Sequence, residues 1–207
     1  MIKPLLSILL LSMSTCVAAT TITIKNANNQ PLANAVVWLS GAPIEASNQA
    51  SKTYAMSQKN REFTPHTLVV PQNAKVEFPN ADSIMHHVYS FSKAKTFELK
   101  LYKEQPKAPI TFDQTGVVEL GCNIHDWMLG YIVVVDSTVF AITDDNGVVN
   151  LTAPNGQYSM SVWHSGFSDI SNVETHSVNV SESPIHYTVK QAIAEQIDFA
   201  TDEFDDY

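Results

Sequence analysis

The sequence predicts an all-β protein, and three observations predict it. Val, Thr, Tyr and Phe recur in short runs, as residues that fit a pleated, half-buried surface do. Apolar residues seldom follow helical spacing anywhere in the chain. Polar turn signals separate the runs, the strongest being Asp144-Asp145-Asn146-Gly147 and Ala153-Pro154-Asn155-Gly156.

The chain opens with Lys3, an apolar core over 5–13 and a small-residue stretch, Val17-Ala18-Ala19. This pattern reads as a signal peptide over 1–19, cleaved after Ala19, and the apolar run is too short to span a bilayer. The mature chain is therefore expected to be exported, to the periplasm, with no membrane span. Loss of Cys16 leaves Cys122 as its only cysteine, which excludes an internal disulfide. Strands are expected at 21–25 and 35–39, joined by a turn-rich connection through Pro31, and two strands cannot bury a core alone. The polar, aperiodic stretch 42–59 reads as a linker.

From Arg61 the strand pattern resumes. Runs at 67–70, 75–78, 87–91, 97–102, 109–112 and 117–120 lead to Gly121-Cys122-Asn123-Ile124-His125-Asp126-Trp127-Met128, and the β-branched run 132–135 follows at once. These runs make one complete small sandwich. Further strands are expected at 139–143, 148–152, 158–164, 173–180 and 186–189. The acidic end, with Glu195, Asp198, Asp202, Glu203, Asp205 and Asp206, reads as a solvated tail over 191–207.

Chemistry concentrates in the Cys-x2-His-x2-Met loop. A thiolate, an imidazole and a thioether are soft or borderline ligands, and copper electron-transfer sites combine two His and one Cys in a plane with a weak axial Met. The loop supplies Cys122, His125 and Met128. The second His is expected from Met85-His86-His87-Val88, where strand alternation allows only one of the pair to face a given metal. Zinc is the alternative metal, for which Met is a poor ligand. A Cys–His nucleophile pair is the enzymatic alternative, disfavoured by the tight spacing.

His86-His87-Val88 and the ligand loop resemble the cupredoxins, the small blue copper proteins. The short loop is most similar to that of amicyanin, and 128–135 is similar to the strand that follows it there. The wording around the ligands also resembles plastocyanin-like and methylamine-utilisation proteins of bacteria. The resemblance covers roughly 53–136 and implies a Greek-key β-sandwich domain at 53–137 holding one copper through His86, Cys122, His125 and Met128. It places His87 at a position normally Asn, whose side chain ties the two ligand-bearing segments, so His87 and Asn123 are expected to support the ligands. Met85, Ile124 and Trp127 are expected on the partner-facing surface.

The flanking segments resemble a carboxypeptidase regulatory-like, transthyretin-type sandwich, through Pro31-Leu32 with Ala35-Val36-Val37 and through Thr143-Asp144 with Gly147. The resemblance implies a second sandwich in two parts, 20–52 and 138–190, with the copper domain inserted between them.

A net charge of −9 disfavours nucleic-acid binding, which needs a basic face. Lys93, Lys95, Lys100, Lys103 and Lys107 make the middle of the chain less acidic than its ends, a field that could steer an acidic, transient redox partner. The expected function is one-electron transfer rather than catalysis. A copper carrier or store, and a copper enzyme with an open axial position, remain as alternatives.

Overall fold

The computed structural model describes residues 17–41, 52–104, 106 and 108–194, and these contain strands and turns but no helix. In chain order the strands are β1 (Val17–Lys25), β2 (Val36–Ser40), β3 (Thr53–Ala55), β4 (Ser57–Lys59), β5 (Glu62–Thr64) and β6 (Thr67–Pro71). There follow β7 (Ala74–Glu77), β8 (His86–Ser92), β9 (Lys95–Tyr102), β10 (Ile110–Phe112), β11 (Gly116–Cys122) and β12 (His125–Val135). The last are β13 (Phe140–Ile142), β14 (Val148–Pro154), β15 (Gly156–Trp163), β16 (Glu174–Val180) and β17 (Ile185–Thr188).

The strands assemble into two packed regions. In the middle of the chain a five-stranded sheet, ordered β6-β12-β11-β8-β9, faces a smaller one ordered β10-β7-β3. Between them lie Tyr54, Phe63, Val76, Phe78, Val88, Phe112, Leu120 and Ile132. The outer segments pair with each other across the whole middle of the sequence. β1 joins β14 and β17, and β2 joins β13 and β15. The resulting sheets, β14-β1-β17 and β13-β2-β15-β16, enclose Ile22, Ile24, Val37, Leu39, Leu151, Met160 and Trp163.

β12 belongs to both cores. Its Tyr131, Val133 and Val135 side chains enter the outer core, while Ile132 and Val134 enter the middle one. Successive strand residues point to opposite faces, so a strand covered on both sides must be apolar at every position. That is why 131–135 is an unbroken apolar run. Tyr131 meets Trp163 edge-on, with ring centroids 5.2 Å apart, and so seats one core on the other.

Two expectations need correction. The stretch expected as linker is ordered from Thr53 onward: β3 and β4 fall within it, and Met56 and Gln58 are fully buried. Its 42–51 part lies outside the described residues. The expected tail starts later than Gln191, because Ile193 bridges to Phe167 and the Ala194 amide donates to the Gly166 carbonyl at 2.7 Å; residues 195–207 lie outside the described residues. Strand β1 starts at Val17, ahead of the expected cleavage point, and 1–16 are outside the described residues. Cleavage after Ala19 would leave Thr20–Thr23 paired to Leu151–Val148, with the Thr20 hydroxyl on the Ser181 carbonyl.

Candidate metal centre

The Cys122 and His125 positions follow from how β11 turns into β12. The register runs regularly to Gly121↔Leu129, then breaks in a bulge so that Cys122 faces His125 across a two-residue turn, Asn123-Ile124. Gly121 is required here by close approach, since a Cβ would lie 2.7 Å from the Tyr89 ring. β8 pins the end of β11 through Gly121↔Tyr89 and Cys122↔Val88, and the Asn123 amide donates to the His87 carbonyl at 3.0 Å.

β8 presents His86 inward on the same face as Val88 and Ser90. His86 is completely buried. Its Nδ1 lies 3.8 Å from the Cys122 Sγ, and the Nδ1 of His125 lies 3.6 Å from the same sulfur. All three ligand atoms are within 4.8 Å of one another. Such spacings suit one first-row metal ion bonded to each atom at about 2.0–2.3 Å. Met128 is buried in the same apolar cluster as Cys122. A soft thiolate with two imidazoles, beside a buried thioether, fits copper better than a hard cation.

His125 sits at the boundary between core and solvent. Burial first, then the electrostatic influence of the neighbouring His86 ring and of the Arg61 guanidinium, lower its pKa below the ordinary imidazole value, with Asp82 opposing. A neutral ring is what metal ligation requires. Trp127 lies against it, ring centroids 5.4 Å apart, and is 55% exposed. Met85, Ile124 and Ile84 are also exposed apolar residues.

The position expected to tie the segments behaves differently. The His87 side chain points away from the three ligand atoms and pairs with the Glu98 carboxylate of β9 at 2.8 Å. The tie is made by main chain instead, from the Asn123 amide to the His87 carbonyl. The Asn123 side chain is exposed.

Two polar groups beside the site carry no signal in the sequence. Asp82 accepts from His86 Nε2 at 2.9 Å and from the amides of Asn60 and Arg61 at 2.7 and 3.0 Å. Burial alone would raise its carboxyl, but the bonds from the Arg61 amide, His86 and the Asn60 amide hold it below the ordinary carboxylate range. Buried Gln58 accepts from the Tyr102 hydroxyl and donates to the Met56 carbonyl at 3.0 Å. Burial, and secondarily the charge of Cys122, push the Tyr102 hydroxyl far up, so it stays a donor. Motif reading finds neither, because each depends on segments distant in sequence that meet only in the fold.

Two other histidines are engaged away from the site. His164 is buried, and both its ring nitrogens are engaged, by the Ala33 carbonyl at 3.1 Å and the Gly166 amide at 2.9 Å. His66 packs edge-on against Tyr131.

Neither a family model nor a curated protein sequence matches the chain. Solved structures similar in part include a Cu-containing nitrite reductase from Thermus scotoductus SA-01, at 23% identity and TM-score 0.38. That match covers 41% of this chain and 22% of the reductase, so this chain spans under a quarter of it. A purple cupredoxin from Nitrosopumilus maritimus matches at 20% identity and TM-score 0.35, over 40% of this chain and 99% of that one. A reduced Cu(I) form of an amicyanin mutant matches at 22% identity and TM-score 0.37, over 48% and 98%. The metal reading rests on the donor geometry of this chain alone. No described helix is long and apolar enough to cross a membrane.

Proposed function

We propose that this chain is an exported type 1 copper protein that carries single electrons between redox partners. One observation carries the reading: His86 Nδ1 and His125 Nδ1 lie 3.8 and 3.6 Å from Cys122 Sγ, with all three atoms within 4.8 Å of one another. Bound copper would supply one-electron chemistry between Cu(II) and Cu(I). Cys122 would hold it through the thiolate, His86 and His125 through Nδ1, and Met128 as a weak axial donor that helps set the potential.

The chain's own contribution is rigidity. His86, Cys122 and Met128 are buried in strands whose neighbours are hydrogen-bonded, so they cannot rearrange freely between oxidation states. His125 alone approaches solvent, beside the exposed Trp127, with Met85 and Ile124 as further contacts for a transient partner. The outer sheets would form the split sandwich that carries the copper domain at 53–137. The periplasm is the expected compartment, where a lone thiol is kept by a metal rather than by a disulfide partner.

Copper(II) titration tests the reading. A strong visible thiolate absorption at one equivalent, with reversible one-electron chemistry, is the expected result. Copper carriage is the second reading, supported by the partial exposure of His125, through which a competing ligand could enter. Rapid transfer of Cu(I) to a chelator would favour it.

A further inference from the structure

Asp82 stands where the β4–β5 hairpin meets the loop entering β8. The hairpin turn is Asn60-Arg61, and both residues hold positive φ, 56° and 59°. That backbone turns both amides toward the Asp82 carboxylate, Asn60 onto Oδ1 and Arg61 onto Oδ2. Non-glycine residues adopt such φ values reluctantly, so the two bonds give the turn a reason to persist. The carboxylate is fixed from its own side as well. The Asp82 amide donates to Asn80 Oδ1 at 2.9 Å, and Asn80 Nδ2 donates to the carbonyls of Ile84 and Tyr102 at 2.7 and 3.3 Å. The Ala81 amide donates to the Gln58 carbonyl at 2.8 Å, closing the frame on β4.

The free direction of Asp82 Oδ2 is taken by His86 Nε2 at 2.9 Å. An ionised carboxylate can only accept, so this contact puts a ring hydrogen on Nε2, and in the neutral ring that leaves the Nδ1 lone pair toward Cys122. A carboxylate behind a ligating imidazole also makes the ring a stronger donor.

We propose that Asp82 is a positioning residue for the metal centre: held by the two turn amides, it sets the tautomer and orientation of His86 and strengthens its Nδ1 as a donor. The inference rests on the metal reading above and adds a residue to it. A stronger nitrogen donor favours Cu(II) over Cu(I), so Asp82 holds the reduction potential down. The carboxylate is not replaceable by an amide. Three donors converge on its two oxygens, and an amide nitrogen in place of either oxygen would face a donor.

Two measurements test this. In the metal-free chain, ring 15N spectra of His86 should show a single Nε2–H tautomer, and Asp82→Ala should mix the tautomers. With copper, Asp82→Asn should weaken Cu(II) binding about 10–100-fold, the range found for partners of metal-bound histidines, and weaken Cu(I) binding less, raising the potential. A wild-type His86 whose neutral ring carries its hydrogen on Nδ1, or an Asp82→Asn chain whose ratio of Cu(II) to Cu(I) affinity is unchanged, overturns the proposal. A purely structural Asp82 would lower thermal stability and move neither readout. Failure of the metal reading looks different: the wild-type chain would then show no thiolate absorption, while the metal-free tautomer result would still stand or fall by itself.

Discussion

His86 and His164 are both buried histidines on adjoining β-sandwiches, and they differ in one respect. His164 has both nitrogens consumed inside the protein, by the Ala33 carbonyl and the Gly166 amide. His86 has Nε2 consumed by Asp82, while Nδ1 faces only the Cys122 sulfur, a weak partner at 3.8 Å. The same contrast runs through the two regions. In the outer core, buried polar groups tie the chain to itself: the Thr143 hydroxyl donates to the Leu32 carbonyl and accepts from the Ala35 amide, and the Ser137 hydroxyl donates to the Leu39 carbonyl. In the middle region, ligand atoms from β8, β11 and β12 are turned toward one another. A buried polar residue marks a site when one of its atoms is held in place and another is left over. Burial itself does not separate the two cases.

The sharpest way to break this comparison is to remove ligand atoms on one side and internal bonds on the other. Cys122→Ser and His86→Ala should each abolish the visible copper absorption while the far-ultraviolet β signal persists. Retained colour in either would remove that residue from the site. Trp163→Ala deletes a fully buried ring of the outer core. It should lower unfolding stability by about 3–5 kcal/mol and leave the copper spectrum in place. Denaturant melts and spectra of one preparation would check this, and a lost spectrum would mean that β12 transmits damage through Tyr131.

Much of this organisation is legible in the sequence, for physical reasons that stop at identifiable residues. Long β-branched runs such as 132–135 announce themselves because both faces of β12 are buried. Cys122, His125 and Met128 are close in sequence, so a single turn brings two of them together. β3, β4 and β5 are not legible. Each is three residues long with one buried residue (Tyr54, Gln58 and Phe63), too short to show alternation. Strand alternation lets only one of His86 and His87 face the site and the His86-His87-Val88 resemblance picks His86, but the partner of His87 follows from neither. Glu98 lies on β9, and its nearness depends on the register and bulge that pair β8 with β9.

Smaller effects refine the comparison. His164→Ala leaves the Ala33 carbonyl and Gly166 amide without their partner, at about 1–3 kcal/mol for each group that water does not reach. Copper binding should be unchanged, as thermal melts with and without metal would show; loss of the site would mean that His164 supports it through the shared strand. His87→Asn should change least, since its bond to Glu98 involves a half-exposed carboxylate and exposed pairs contribute about 0–1 kcal/mol. A spectrum altered by His87→Asn more than by His164→Ala would reverse the assignment of the two β8 faces.

The middle region holds three side-chain atoms, His86 Nδ1, Cys122 Sγ and His125 Nδ1, turned toward one another and left over from its internal bonding. Titrating the metal-free chain with Cu(II), alongside Cys122→Ser and His164→Ala, tests this directly. One equivalent should bind with strong visible thiolate absorption in the wild type and in His164→Ala, and the absorption should be absent in Cys122→Ser. A colourless wild type, or equal absorption in all three chains, would contradict it.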